Sequence, residues 1–548
     1  MATRSSGKKG QTFMFGAVIL MISNILVKVI GAIFKIPLQN LIGVEGMKYF
    51  QAAYDIYVAF YMISTAGIPV AISRMIATAN SKGNHKEVDK IFKISYWVFF
   101  AVGAVGTAVM IFFSKKFAST VIGAEFAIMA IAPTLFFICI SSAYRGYFQG
   151  LQNMVPTAVS QVIESVGKLG IGLVAGWYSY KAGYAMPVVA AVTIAGVTIG
   201  VIAATVYIAV LKKMFACARD EAQDPSLAVR STKSLFYELV IISIPISLAS
   251  SIMGLTNVVD LWLVPGRLQS AGFTYEYASN CYGAYAMPKT LFNMPTTLIY
   301  PFAISALPAI SALCGKGEKQ KAVSLMESTF RMASIVALPC ALGMSAMAGP
   351  ILSLLYDIEP IAVGSLVTNI DVAAPCLMVL GISVFFLGMI SVTNSVLQAY
   401  GFHNLTIVST VGGIMAKIIV SYILLGIKSV GLAGAAIGTA ACYVTIMVLN
   451  IVFIAVKVNY FPSIRRTFLK PLISAVICVI PCIFAYDLLT KHGIVSAKLA
   501  TLASIAVAVV VYVVMLLMLR GISEEDIKML PKSQKIIKIL RKAKLLGD

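Results

Sequence analysis

Charged side chains are scarce in this chain, and acidic ones scarcest. Only 22 Asp and Glu stand among 548 residues, against 43 Lys and Arg, and both signs together reach 12%. A soluble domain carries about twice that share, so a set of soluble domains is excluded. Histidine is nearly absent: His85, His403 and His492 are too few and too dispersed for a zinc or haem site. The nine cysteines lack metal-ligand spacing and mostly sit inside apolar runs, as small core residues do. There is no Walker A loop, no histidine pair with a carboxylate, and no soluble segment large enough for an ATPase. The chain therefore reads as a non-enzyme with no cofactor. Energy for any work must come from a gradient, the membrane potential or substrate flux, with the coupling ion left open. Nucleic acid is excluded as a partner, because the net charge of +21 is spread over short loops instead of one module.

What is present is apolar: 59% of residues. Stretches 13–34, 96–113, 188–211 and 499–519 are long enough to cross a hydrocarbon core of ~30 Å as helices. They lack the alternation of an outer-membrane barrel, so the fold class is an all-α polytopic membrane protein. Apolar windows bounded by charge or turn residues predict about 14 transmembrane helices. They cover 13–38, 49–78, 91–113, 126–149, 155–178, 187–211, 235–264, 283–312, 331–354, 366–398, 405–426, 431–456, 467–489 and 498–519. The basic segment 1–11 runs straight into the first window without a small-residue cleavage site, which reads as a retained span.

Loop charge fixes the expected orientation. With the N-terminus cytosolic, 28 of the 43 basic residues fall in cytosolic segments. Eight fall outside: Lys48, Lys115, Lys116, Lys181, Arg267, Lys428, Lys491 and Lys498. The positive-inside rule then places both termini in the cytosol. Two short patterns recur six spans apart. Gly67-Ile-Pro-Val-Ala-Ile-Ser73 with Ser81-Lys-Gly-Asn-His-Lys-Glu-Val88 parallels Ala306-Leu-Pro-Ala-Ile-Ser311 with Gly315-Lys-Gly-Glu-Lys-Gln-Lys-Ala322. Phe148-Gln-Gly-Leu-Gln-Asn153 parallels Leu397-Gln-Ala-Tyr-Gly-Phe-His-Asn404. The expected layout is two pseudo-twofold-related six-helix bundles, 13–211 and 235–456, joined by a cytosolic linker at 212–234. A short N-terminus (1–12), an extra helix pair (457–519) and a basic tail (520–548) complete it. The tail reads as an amphipathic helix on the anionic inner leaflet, or as a solvated charged segment. Four prolines in one span, Pro288, Pro295, Pro301 and Pro308, suggest a bent helix lining a cavity.

Seven basic residues remain inside spans: Lys28, Lys35, Arg74, Arg145, Lys168, Lys289 and Lys417. Four acids join them, Asp55, Glu164, Asp260 and Asp371. Each intramembrane charge costs roughly 2.5–3.5 kcal/mol on insertion scales, so such groups face a bundle interior or water. Glu164 and Lys168, spaced i,i+4, read equally as a mutually neutralising pair. Arg74 and Arg145 lie near helix ends and read also as snorkelling side chains. Lys28 and Lys35, two turns apart, share one face of span one. A surplus of cations suits a pyrophosphate or acidic-sugar headgroup.

The run Tyr144-Arg-Gly-Tyr-Phe-Gln-Gly150, followed by Met154-Val-Pro-Thr-Ala158 and Ser160-Gln-Val-Ile-Glu164, resembles the signature of the stage V sporulation protein B group. These are relatives of the MurJ-type lipid II flippases in the multidrug/oligosaccharidyl-lipid/polysaccharide exporter superfamily. The resemblance implies a V-shaped, alternating-access flippase in the bacterial cytoplasmic membrane, with a cationic central cavity. Its substrate would be an undecaprenyl-pyrophosphate-linked oligosaccharide, lipid II in peptidoglycan synthesis, in the vegetative or sporulating envelope. Lys28 and Lys35 match the group's basic positions in span one, Asp55 its acid in span two, and Lys289 a basic residue in span eight. Arg74, Lys168 and Lys417 complete the candidate substrate-binding set. Spans thirteen and fourteen would form a groove for the lipid tail. The expected partners are the anionic lipid-linked sugar, the bilayer and envelope-synthesis proteins. A cation-coupled drug exporter, a flippase for another polysaccharide unit and a non-transporting scaffold are the competing readings. A cationic-drug exporter would favour carboxylates over lysines, and a scaffold gains little from buried charge.

Overall fold

A backbone in lipid must satisfy its own hydrogen bonds, which leaves helices for these apolar windows. The computed structural model describes residues 3–65, 67–217, 228–491 and 495–521. The tail expected at 520–548 lies, from residue 522 on, outside the described residues. The first half comprises α1 (Thr3–Thr65), α2 (Ile68–Ser81), α3 (His85–Phe112), α4 (Ser114–Phe117), α5 (Ala124–Gly150), α6 (Val155–Gly167), α7 (Leu173–Lys181), α8 (Met186–Cys217) and α9 (Thr232–Ser270). The second comprises α10 (Tyr275–Ala284), α11 (Ala286–Gly315), α12 (Lys319–Ala346), α13 (Ala348–Leu355), α14 (Asn369–Ala399), α15 (His403–Leu425), α16 (Ala433–Val458), α17 (Lys470–Lys491) and α18 (Ala497–Met518). Two π-helical turns, Lys168–Gly172 and Arg465–Leu469, precede α7 and α17.

Twelve stretches among the described residues are long and apolar enough to cross a bilayer. One of them, Ile22–Ser81, has 60 residues, twice what one crossing needs. The 39-residue α9 is a further crossing by length. The chain is an all-α, multi-pass membrane protein, and its helices accommodate the fourteen crossings read from sequence.

Two local departures matter. No loop separates the first two spans: Gly43, at φ 62° and ψ −172°, turns the chain within one residue. Only glycine adopts that backbone cheaply. Lys48, expected in an outer loop, is consequently buried in α1, with Nζ 5.1 Å from the Tyr49 ring centroid. Span two is in turn interrupted before Pro69, which sits in the first turn of α2, where its missing N–H costs nothing. Arg331, the first residue of the expected span 331–354, is buried within α12. The proline-rich span runs as an unbroken helix from Ala286 to Gly315, with the chain breaking before it at Tyr285.

Contacts divide the chain into two compact units, Met1–Gly266 and Arg267–Asp548, so the boundary falls inside α9 instead of in the linker. The cause is visible in the first unit. Glu87 accepts from Arg230 N (3.2 Å) and Nε (2.9 Å), and Lys90 Nζ donates to the Arg230 carbonyl (2.7 Å). Further along, Gly67 N donates to Ser247 Oγ (3.2 Å) and Thr120 Oγ1 to the Leu261 carbonyl (3.0 Å). Past the boundary, Arg267 Nε donates to the Tyr422 carbonyl at 3.1 Å.

The repeated loop sequences make the same turns. Gly83 and Gly317 are both left-handed (φ 71° and 74°), and Asn84 and Glu318 donate back five residues to Ala79 and Leu313. Gln152 and Gly401 are left-handed too, followed by Asn153→Phe148 and Phe402→Leu397 bonds. In the second unit, Tyr512 of α18 donates to the Ile335 carbonyl of α12 (2.7 Å) over a core of Leu338, Ala475, Cys478 and Leu516, which ties the extra helix pair on.

Close packing holds α6 and its π turn against α8. A Cβ on Gly167 would lie 2.6 Å from Gly200 Cα, one on Gly200 would lie 2.7 Å from the Glu164 carbonyl, and Gly196 abuts Gly172. Small residues spaced by four let helix backbones meet in lipid. Gly200→Leu is expected to destabilise the first unit by about 3 kcal/mol through overpacking. Gly170→Ala, where a Cβ meets nothing within 4 Å, is expected to melt like the parent in detergent.

Candidate functional site

The site grows from the second half of α1. Phe50, Tyr54, Tyr57 and Tyr61 recur at helical spacing along one face. Their ring centroids step down the helix at 6.1, 6.1 and 6.0 Å. The turn at Gly43 brings the first half of α1 back, so that Phe34 meets Phe50 at 5.8 Å. Lys35 follows it in: Nζ donates to Gln51 Oε1 (3.2 Å) and lies 5.1 Å from the Tyr54 ring centroid. Gln51 Nε2 donates onward to Asp55 Oδ1 at 2.6 Å, and Asp55 is 2% exposed.

From the other side comes Lys168, the first residue of the π turn. Such turns are frequent at functional sites, because they re-aim side chains in a helix. Its Nζ lies 4.8 Å from the Phe34 centroid and 4.8 Å from that of Tyr54. Two ammonium groups thus converge on one tyrosine ring.

The expected Glu164–Lys168 pair does not form. Glu164 Oε2 accepts instead from Arg145 Nη2 at 3.0 Å, with Arg145 Nε on Ser160 Oγ at 3.0 Å. The Arg145 side chain is 9% exposed and that of Glu164 27%, so Arg145 is a buried partner and no snorkelling side chain. A guanidinium forks between two acceptors where a lysine offers a point charge, which is why Arg145 takes the carboxylate. Lys168 makes no ion pair with any described residue.

The remaining candidates are dispersed. Lys28 is exposed on α1, about 10 Å along the axis from Lys35. Arg74 is exposed on α2 and makes no ion pair or hydrogen bond to the cluster. In the second unit, Lys289 is half-buried, with Nζ 5.3 Å from the Tyr285 centroid, and Lys417 is buried in α15 at 3% exposure. Asp260 is buried on α9. Asp371, read as intramembrane, is exposed and closes a capping box with Thr368 at the start of α14. Its carboxylate accepts from Thr368 N (2.9 Å) and Oγ1 (2.7 Å), the ordinary work of an acid in a first helical turn.

Sequence reasoning missed Gln51, Tyr54 and Phe34. The i,i+4 spacing of Gln51 and Asp55 and the aromatic stripe were both there to be read; the meeting of residue 34 with 50 was not. The second unit also contains a cavity of about 340 Å³ between α12, α13, α17 and α18. It is lined by apolar and thiol side chains such as Cys340, Met347, Cys478, Cys482 and Val509.

The comparisons fit this picture of a membrane protein with a charged interior. The family model described as "Polysaccharide biosynthesis protein" matches residues 14–314. Stage V sporulation protein B of Bacillus subtilis is 27% identical over 80% of this chain and 83% of its own length. Lipid II flippase MurJ of the same organism is 24% identical over 84% of this chain and 86% of its own. A solved structure of lipid II flippase MurJ in an inward closed conformation aligns with a TM-score of 0.65 at 14% identity, covering 91% of this chain and 98% of that one. That likeness shows the fold. With more than half its length matched, this chain belongs to the polysaccharide biosynthesis protein family, in the group that includes stage V sporulation protein B and MurJ.

Proposed function

We propose that this chain is a flippase that moves an undecaprenyl-pyrophosphate-linked oligosaccharide, the peptidoglycan precursor lipid II, from the inner to the outer leaflet by alternating access. The observation that carries the reading is the convergence of Lys35 and Lys168 on Tyr54, while Arg145 engages the carboxylate nearest in sequence to Lys168. A membrane protein that holds ammonium charge in its interior spends insertion energy on it, and a pyrophosphate repays that by replacing water around the cations. The substrate named for the Bacillus subtilis relative MurJ supports the choice of lipid II. The apolar cavity beside α17 and α18 suits a polyisoprenyl chain, since it offers hydrocarbon and thiol surface. Cytosolic termini follow from the loop charges. Transport of this kind forms and breaks no covalent bond.

Depletion of the protein tests the substrate. Lipid II is expected to accumulate on the cytosolic leaflet while other lipid-linked sugars stay at their usual level. Accumulation of a different lipid-linked sugar, or of none, would overturn the assignment.

A further inference from the structure

The charges gathered where α3 begins and α8 ends play no part in the flippase reading. We infer that they form a binding site for an anionic phospholipid. Lys93, Lys212 and Lys213 take its phosphate, and an aromatic lane on α3 and α5 takes its acyl chains. The centre of the patch is Lys212, whose Nζ lies 4.1 Å from the Phe92 ring centroid and 5.2 Å from that of Tyr147. A lysine near the end of a crossing helix ordinarily snorkels its ammonium out to water. Lys212 instead lies across two rings, which hold the ammonium in place while the side chain stays half-buried. It makes no ion pair or hydrogen bond with any described residue, and the charges close enough to act on it are Asp89 and Lys93. Lys93, Lys213 and Asp89 are all exposed, so three lysines stand against one aspartate and the patch is positive.

The aromatic lane runs on from Lys212. Phe92 meets the Tyr96 and Tyr144 rings at 6.2 and 5.1 Å. Tyr96 meets Trp97 edge-on at 5.9 Å, Trp97 meets Phe100 at 5.5 Å, and Phe100 meets Phe136 of α5 at 5.1 Å. Along α3 the exposed residues Lys93, Trp97, Phe100 and Ile111 share one face, so a single stripe starts with charge and continues apolar. Neither the Tyr96 nor the Tyr144 hydroxyl bonds to a described residue, and their rings meet at 6.2 Å. Two O–H donors thus flank the ring that carries Lys212. Ammonium, phenol and apolar wall follow one another in the order of phosphate, glycerol and acyl chain in phosphatidylglycerol. Basic clusters beside crossing helices take such headgroups. An anion free in water gains nothing from the exposed Trp97 and Phe100, which assigns the patch to a lipid.

The tryptophans allow a direct test, since Trp97 is 64% exposed and Trp262 of α9 is 45% exposed. Trp177→Phe/Trp262→Phe leaves Trp97 as reporter, and Trp97→Phe/Trp177→Phe leaves Trp262. Each full chain is placed in bilayers where brominated phosphatidylglycerol or brominated phosphatidylcholine quenches the tryptophan it touches. Phosphatidylglycerol is expected to be favoured about tenfold at Trp97 and no more than about twofold at Trp262. Lys93→Gln/Lys212→Gln/Lys213→Gln is expected to bring the preference at Trp97 down to that at Trp262. Tyr96→Phe/Tyr144→Phe keeps the rings, removes the hydroxyls and is expected to lower the preference about threefold. Quenching by phosphatidylcholine should not move in either variant, because the apolar wall is intact. Equal preference at the two reporters of the parent overturns the site, as does a parent-like preference in the lysine variant. Loss of quenching by both lipids in that variant makes the lysines structural and counts against the proposal. Farnesyl diphosphate that relieves the quenching at a lower mole fraction than unbrominated phosphatidylglycerol would give the patch to the transported class of lipid. Relief by inorganic phosphate would give it to a free anion, and either result contradicts the phospholipid site.

Discussion

Replacing Lys35 and Lys168 together by methionine is expected to lower lipid translocation about a hundredfold while making the protein more stable, not less. Methionine keeps the unbranched stem of lysine and its apolar packing, so little volume is lost. What disappears is two charges that lipid disfavours, each at roughly 2.5–3.5 kcal/mol on insertion scales. A purely structural role for the lysines would give the opposite sign, with stability and transport falling together. The loss of transport follows from the site, since truncating a desolvated charge that a ligand needs costs about 2–5 kcal/mol of binding. The measurements are the melting temperature in detergent and the flux of labelled precursor in liposomes. Unchanged flux, or lost flux together with a lower melting temperature, would refute the prediction. Lys28→Met alone is expected to have a smaller effect, because Lys28 lies about two turns from Lys35 and is exposed.

Breaking the Arg145–Glu164 pair is expected to do the reverse: destabilise strongly with no specific effect on transport. Glu164→Met leaves a buried guanidinium without its carboxylate, and Arg145→Met leaves a carboxylate without its partner. Removal of one member of a buried pair costs about 3–5 kcal/mol, and the 27% exposure of Glu164 brings the expected loss toward the lower figure. The double variant Arg145→Met/Glu164→Met should recover most of that stability, since an apolar pair of similar size is often neutral in such a site. Thermal melts of the four proteins of this cycle give the coupling directly. A double variant that is as unstable as the singles would contradict the pair's structural role. A stable double variant that no longer transports would show the pair acting on substrate.

These two sets of charges show what the sequence could and could not reveal. The apolar crossings were legible because hydropathy acts on each segment separately: α14 through α18 begin and end within three residues of their expected bounds. The turn patterns around Gly83 and Gly317 were legible for the same reason, as local backbone chemistry written in adjacent residues. Pairing was not local. The i,i+4 spacing of Glu164 and Lys168 suggested a bond that Arg145 takes, from a helix that ends four residues before α6 starts. The Tyr54 cluster depends on one backbone reversal at Gly43; the gap between windows 13–38 and 49–78 marks a turn there but not its sharpness, nor which residues it brings together. The same reversal explains why Lys48, counted among loop charges, is buried. Asp371 was misplaced for a simpler reason: a capping box at the head of a span looks, to a hydropathy window, like an acid inside it.

The central claim is that the charge of the headgroup is what the lysine cluster recognises. Reconstituting the purified chain in liposomes with two fluorescent lipids, lipid II and the same glycosyl polyprenol lacking its pyrophosphate, tests it most directly. The account predicts rapid leaflet exchange of lipid II and background exchange of the neutral lipid. Equal movement of both would contradict it.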